Sequence, residues 1–178
     1  MGNEARSIEI WRAGVAELGT AFGLVEEYFV RAGVISRETR VEFDAEYFGD
    51  ARGFWLAGSE RQLAGCIGLR ILNRANEGKR EKESCAEIKR MYVREKFRGQ
   101  GIAQKLLEAA ERFARETGYD WIYLDTTNEM IAAARLYEQS GYQRCERYNH
   151  NPQATIFMRK KLRSLVRSAT KRARLGQS

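Results

Sequence analysis

The stretch Tyr92-Val93-Arg94-Glu95-Lys96-Phe97-Arg98-Gly99-Gln100-Gly101-Ile102-Ala103 decides the reading of this chain. It reads as the end of a strand, a short polar turn and a helix that opens on two glycines. From Ile102 the apolar positions Ile102, Ala103, Leu106, Leu107, Ala110, Phe113 and Ala114 recur at helical spacing and mark one buried face. Glu108/Arg112 and Glu111/Arg115 stand four residues apart and are expected on the wet side of that helix. Gly118, after Thr117, suits the position just past the helix end. The two glycines therefore sit where a helix leaves its first N–H groups unpaired. Small residues let a ligand approach that backbone, and the helix dipole favours an anion there. The first physical inference is a cradle for phosphate or pyrophosphate.

Three readings compete for this turn. A strand–helix connection that binds nothing stays open on these residues alone. A dinucleotide-binding turn has Gly99, Gly101 and an acid, Asp125, ending the next strand. Against it, Gln104 stands where a third glycine is needed. The charged insert from Arg94 to Phe97 removes the tight turn, and too little chain follows for a second half-sheet. A triphosphate P-loop fails because no Gly-Lys-Ser/Thr follows. The third reading comes from a resemblance.

The segment resembles motif A of the GCN5-related N-acetyltransferases, Arg/Gln-x-x-Gly-x-Gly/Ala, here Arg98, Gly101 and Ala103. Two further stretches carry the likeness at the family's spacing. Cys85-Ala86-Glu87-Ile88-Lys89-Arg90-Met91-Tyr92-Val93 is similar to the family's fourth strand. Ala133-Ala134-Arg135-Leu136-Tyr137-Glu138-Gln139-Ser140-Gly141-Tyr142 is similar to its A-x-x-L-Y-x-x-x-G-F/Y element. The match is specific from about Gly65 to Leu162 and weaker before it. It implies an α+β fold: a mixed, mostly antiparallel sheet, helices on both faces, and splayed central strands. Residues 1–162 would form the acetyltransferase domain and residues 163–178 a basic tail.

The composition is compatible with this. A chain of 178 residues, 43% hydrophobic and 11% aromatic, holds enough apolar material for one core. No apolar run approaches a membrane span, and the N-terminus lacks a signal-peptide core, so the expectation is a cytoplasmic protein without a membrane partner. Cys66, Cys85 and Cys145 lack metal-ligand spacing and read as reduced thiols. With one histidine, His150, no His-dependent triad or multi-His metal site is expected, and no metal is implied. Of the formal charge of +7, the residues after Leu162 carry +5, because Arg163, Arg167, Lys171, Arg172 and Arg174 meet no acid there. The basic balance is thus mostly a property of the tail, which reads as a disordered, solubilising end.

Along the chain, Ile8-Glu9-Ile10-Trp11-Arg12 alternates as a first strand. Val15, Leu18, Phe22, Val25 and Phe29 give a first helix ending near Gly33, and residues 36–48 a shorter second one. Tyr28, Phe29, Phe43, Tyr47 and Phe48 are expected in the core. Residues 54–57 and 63–71 form a hairpin, and residues 73–84 a charged loop. Trp121-Ile122-Tyr123-Leu124-Asp125 reads as an interior strand. Thr126-x-x-Glu129 has capping-box form for the next helix, with Gly141 as its stop. Residues 142–148 and 155–160 are two last strands.

The resemblance implies acetyl-coenzyme A as donor. Its pyrophosphate would lie on the backbone of Arg98, Gly99, Gln100, Gly101, Ile102 and Ala103. Its pantetheine arm would pair with the fourth strand around Met91, Tyr92 and Val93, where a bulge parts that strand from the fifth and frees backbone groups. A main-chain N–H near Met91 would polarise the thioester carbonyl. Tyr137 matches the family's tyrosine acid, which protonates the leaving thiolate. Glu87 stands where some members hold a glutamate base, acting directly or through water; a salt bridge to Lys89 or Arg90 is the alternative. Many members carry an asparagine seven residues before the tyrosine. Met130 holds that position here and Asn128 lies two earlier, so Asn128 is open between a coenzyme contact and a helix cap.

The acceptor is expected to be a small-molecule amine. Arg70 and Arg90 would favour one bearing a carboxylate, such as an amino acid, although alternation puts Glu87 and Arg90 on opposite faces unless the bulge resets them. The loop Tyr148-Asn149-His150-Asn151-Pro152 is placed at the acceptor mouth, with His150 a loop residue. The oligomeric state, a homodimer included, stays open. Two rivals remain: a non-catalytic acyl-coenzyme A sensor on the same fold, and a macromolecule-directed acetyltransferase whose basic tail docks on nucleic acid or an acidic protein.

Overall fold

The computed structural model of the chain describes residues 7–59, 62–73 and 83–162. The basic tail (163–178), most of the charged loop (74–82) and the tip of the first hairpin (60–61) lie outside the described residues. Among the described residues, seven strands, mostly antiparallel, and four helices make an α+β fold. The chain divides into two compact units. One takes the residues up to Arg70 together with Lys89–Ala110, the other Ile71–Ile88 and the residues from Glu111 on.

In the first unit the strands run in the order β1 (Glu9–Arg12), β2 (Gly53–Ser59), β3 (Gln62–Ile71) and β4 (Cys85–Val93). The pairs β1–β2 and β2–β3 are antiparallel. Helix α1 (Leu18–Arg31) follows a single 3-10 turn, Val15–Glu17. Helix α2 covers Arg40–Tyr47, shorter than the expected 36–48. The reason is local: Thr39 and Glu42 form a capping box, the Thr39 N–H donating to Glu42 Oε2 at 2.7 Å and the Glu42 N–H to Thr39 Oγ1 at 3.3 Å. The apolar stripe of α1 (Ala21, Leu24, Val25, Phe29) packs with Phe43, Tyr47, Phe54, Leu56, Cys66 and Tyr92. Tyr28 and Phe48 pack against that cluster half-buried, so the expected aromatics are core residues. Phe43 is the hub, with ring centroids 4.9 Å from Phe54 and 5.1 Å from Tyr47.

Strand β3 presses on the end of β4 at Gly65. A Cβ on Gly65 would lie 2.5 Å from the Tyr92 carbonyl oxygen, so the approach admits only glycine. Just beyond, the Arg94 N–H donates to Ala64 O at 2.8 Å and the Arg94 guanidinium to Leu63 O at 2.8 Å. The strand end that feeds the glycine turn is therefore held from both main chain and side chain.

The second unit takes the first part of β4. Cys85–Ile88 pairs in parallel with β5 (Trp121–Thr126), β5 pairs antiparallel with β7 (Ile156–Lys161), and β7 with β6 (Gln143–Arg144). Helix α3 (Ile102–Thr117) ends in this unit at Gly118, φ +90°, with the Tyr119 N–H returning to Ala114 O at 3.0 Å. Helix α4 covers Ile131–Gln139 and stops at Gly141, φ +87°.

Three expectations are corrected here. The strand over 142–148 shrinks to two residues. Asn149 and Asn151 turn their side chains onto the backbone instead, accepting from the N–H groups of Asn151 and Gln153 at 3.1 Å each. Thr126 does not cap α4: it is still paired to Ile156 in β5, and the helix begins five residues later. Glu111 is not on the wet side. It is 5% exposed and accepts from Arg115 at 2.8 Å and from Lys160 Nζ at 2.7 Å. The i,i+4 pair forms, but Lys160 of β7 draws its carboxylate inward.

Candidate functional site

The glycine turn is built as its sequence suggests. A 3-10 turn, Glu95–Phe97, follows β4, then Arg98 in extended conformation, then Gly99 at φ +74° and Gly101 at φ +73°. Both values lie in the left-handed region that favours glycine. A Cβ added at either would meet nothing within 4 Å. The glycines are therefore needed for the path of the backbone, and the space over them is open. The first bond of α3 runs from the Lys105 N–H to Gly101 O at 3.1 Å, so the N–H groups that precede it, from Ile102, have no acceptor within the helix. Open backbone donors at the positive end of a 16-residue helix fit a diphosphate.

Arg98 is exposed, and its Nε donates to Val93 O at 3.0 Å, which clamps the turn to the end of β4. Gln100 reaches back weakly to Lys96 O at 3.4 Å. Ile102 is buried and anchors α3, and Ala103 is half-buried behind it. Met91 and Val93 are half-buried in β4. The Tyr92 side chain faces the apolar cluster, and its hydroxyl donates to Glu27 Oε1 at 2.9 Å. What Tyr92 has for a coenzyme is main chain only. Arg94 forks onto the same Glu27, at 3.0 Å and 2.6 Å to Oε2. The Arg94 hydrogen bond holds the Glu27 carboxyl below its usual range despite partial burial. Strand end, α1 and turn thus form one braced body around the cradle.

Midway along β4 the regular geometry stops. The parallel ladder ends at Ile88↔Leu124, and Arg90 has φ +56°. Arg70 and Arg90, expected to favour an acceptor's carboxylate, each bind a carboxylate of the chain itself. Arg70 NH1 lies 2.5 Å from Glu46 Oε2. The Arg90 guanidinium binds Glu38 with both prongs, Nε to Oε1 at 2.7 Å and NH2 to Oε2.

Glu87 is fully buried in the second unit. Its Oε1 accepts from the Tyr148 hydroxyl at 2.9 Å and from Asn149 Nδ2 at 3.0 Å. Asn149 Nδ2 also donates to Asp125 Oδ2 at 2.7 Å, and Asn151 Nδ2 joins at 3.1 Å. Burial, then the charges of Glu87 and Asp125, push the Tyr148 phenol well above its ordinary value, so it is a fixed donor at neutral pH. The expected loop contributes, through Tyr148, Asn149 and Asn151, and His150 is exposed. The part of Asp125 in this cluster was not read from the sequence. Its place at the end of an interior strand suggested only a ribose contact.

Tyr137, on α4, is 4% exposed and packs edge-on against Tyr142, ring centroids 5.8 Å apart. Asn128 is exposed, and its N–H donates to Thr155 Oγ1 at 2.9 Å. Met130 occupies the cap of α4, so Asn128 does not cap that helix. Among the described residues no group of three or more His, Cys, Asp or Glu is placed to hold a metal ion.

A model of the Acetyltransferase (GNAT) family matches residues 22–142. N-acetyltransferase 8B of Rattus norvegicus is 32% identical over 96 residues, 54% of this chain and 41% of that protein. N-acetylaspartate synthetase of Danio rerio is 34% identical over 91 residues, 51% of this chain and 29% of that protein. The chain therefore spans less than half the length of these relatives. A predicted acetyltransferase of Clostridium acetobutylicum, crystallised with acetyl-CoA, superposes with a TM-score of 0.69 at 15% identity, over 81% of this chain and 95% of that one. That likeness is one of fold.

Proposed function

The chain belongs to the GNAT acetyltransferase family, and from that premise we propose that it moves the acetyl group of acetyl-CoA to a primary amine, by direct attack in a ternary complex. The observation that carries the proposal is the cradle: two left-handed glycines with open space above them, at the start of a long helix. Residues 98–103 would hold the diphosphate, and the backbone at Met91 and Val93 the pantetheine arm. The solved relative bound to acetyl-CoA supports this choice of donor.

The reaction joins the amine nitrogen to the thioester carbonyl carbon and breaks the carbon–sulfur bond. Glu87 takes the proton lost by the amine, directly or through a water. Its carboxylate is oriented for this by two hydrogen bonds into one oxygen. Tyr137 gives its phenol proton to the departing thiolate. No covalent enzyme intermediate is needed. The acceptor we propose is a small amine bearing a carboxylate, in line with a relative named N-acetylaspartate synthetase. Three cysteines, none of them in a disulfide and two of them buried, support a reducing compartment such as the cytoplasm.

The test is thiol release from acetyl-CoA across amino acids, polyamines, aminoglycosides and peptides. Release with at least one amine, lost in Glu87→Gln, is the expected result. Tight acetyl-CoA binding without release on any amine would instead make the chain a coenzyme sensor.

A further inference from the structure

We propose that the Arg90 guanidinium is the subsite for the acceptor's carboxylate, and that Glu38 is its built-in occupant, displaced when the acceptor binds. The proposal rests on the acetyltransferase reading and adds to it the recognising residue and a gate. The geometry is that of carboxylate recognition. A planar guanidinium donates through two prongs to the two oxygens of one carboxylate, the arrangement an amino-acid substrate would take. The fork is aimed from below by Phe29, whose ring centroid lies 5.0 Å from the guanidinium carbon.

Three observations argue that this pair is more than a structural bridge. It is largely withdrawn from solvent, with side chains 13% and 7% exposed, where an ion pair adds little over apolar packing. Arg90 is the one non-glycine residue at positive φ among the described residues, and such backbone persists where its surroundings force it, often at ligand clamps. Finally, the Tyr47 phenol is 1% exposed and has no hydrogen-bond partner, although the charges of Arg90, Arg70, Glu38 and Glu46 all act on it. A buried hydroxyl without a partner calls for a ligand or a water. Tyr47 thus supplies a spare donor beside the fork.

Glu38 can leave at low structural cost. It lies between α1 and α2, outside regular structure, so its departure breaks no ladder or helix bond. The exchange replaces one carboxylate by another, so the buried charge is unchanged.

The experiment begins with thermal melting of Glu38→Ala, which empties the fork. Sodium acetate should raise its melting temperature by about 3 °C over sodium chloride at equal ionic strength. Wild type and the double variant Glu38→Ala/Arg90→Met should show no such difference. If acetate protects Glu38→Ala no better than chloride, the proposal is overturned. Should Glu38→Ala not fold, Glu38→Gln replaces it in a kinetic arm with matched amines: glycine against methylamine, and L-phenylalanine against 2-phenylethylamine. The carboxylate-bearing twin should be preferred in wild type, its KM should fall several-fold in Glu38→Gln, and Arg90→Lys should abolish the preference. A preference that survives Arg90→Lys overturns the proposal. Rescue by acetate with no turnover of any amine would instead count against the acetyltransferase reading and leave the carboxylate site standing.

Discussion

Replacing Gly101 by alanine separates a ligand cradle from a mere turn. The new methyl group meets nothing within 4 Å, so the folded chain suffers no clash. Its cost is that of a left-handed alanine at φ +73°, about 1 kcal/mol, or a fall in melting temperature of roughly 2–4 °C. Gly118 provides the control. It has φ +90°, also with no atom within 4 Å of an added Cβ, at the opposite end of the same helix. Gly118→Ala should therefore lose a similar amount of stability. The two variants must differ in coenzyme affinity. At Gly101 the methyl occupies the space through which a diphosphate approaches the first N–H groups of α3. Losing one charge-assisted hydrogen bond there is worth about 1.5–3 kcal/mol, or roughly 10- to 100-fold in affinity. Titration calorimetry with acetyl-CoA and melting curves on both variants give the comparison. An affinity for Gly101→Ala within a factor of about two of Gly118→Ala would refute the cradle.

Four other outcomes are expected. Tyr137→Phe should lower kcat at least about tenfold and leave the KM for acetyl-CoA near wild type; unchanged turnover removes Tyr137 from the mechanism. Glu87→Gln should lower kcat/KM at least about tenfold, and an unchanged kcat/KM would mean that Glu87 only packs. The Cys66 thiol is pushed up by burial, so its contribution to stability is complete below its unfolded value and shrinks as pH rises, by about 1.4 kcal/mol per unit above pH ~8.5. Urea unfolding from pH 8 to 10 should show Cys66→Ala losing that part of the slope. Arg90→Gly relieves the left-handed backbone but strands Glu38, so it should cost about 3 kcal/mol, and adding Glu38→Leu should restore most of it; simple additivity in urea melts would show that the two residues do not act as a pair.

Local signals explain most of what was legible. The alternation of Ile8 to Arg12, the stripe of α3 and the stops at Gly118 and Gly141 each depend on neighbours within one or two turns, and they appear where the pattern put them. Legibility fails where a distant partner competes. Thr126 has the right spacing to Glu129 for a cap, yet six ladder pairs of β5 on β7 hold it in a strand. Glu111 has the right spacing to Arg115, yet Lys160, 49 residues away, decides on which side its carboxylate lies. The partners of the site are equally remote: Tyr148 is 61 residues from Glu87, Glu38 is 52 from Arg90, and Glu27 is 67 from Arg94. Charge and residue type mark such groups as candidates, and only the fold chooses among them.

Strand β4 shows why this matters for chemistry. Strict alternation would set Glu87 and Arg90 on opposite faces. Burial follows no alternation: Cys85 to Ile88 are all buried, as in an interior strand, and the next three residues are half-buried. The change comes where the β5 ladder ends and just before the backbone of Arg90 turns left-handed. A left-handed residue within a strand resets the phase of every side chain after it, so the faces assigned from the sequence hold only up to Ile88. An arginine is a poor choice for that conformation by propensity alone, and glycine would take it without strain. Its guanidinium is what this side chain adds that a glycine would lack. In this structure that is to hold a carboxylate, two-pronged and nearly dry, with an unpartnered phenol nearby.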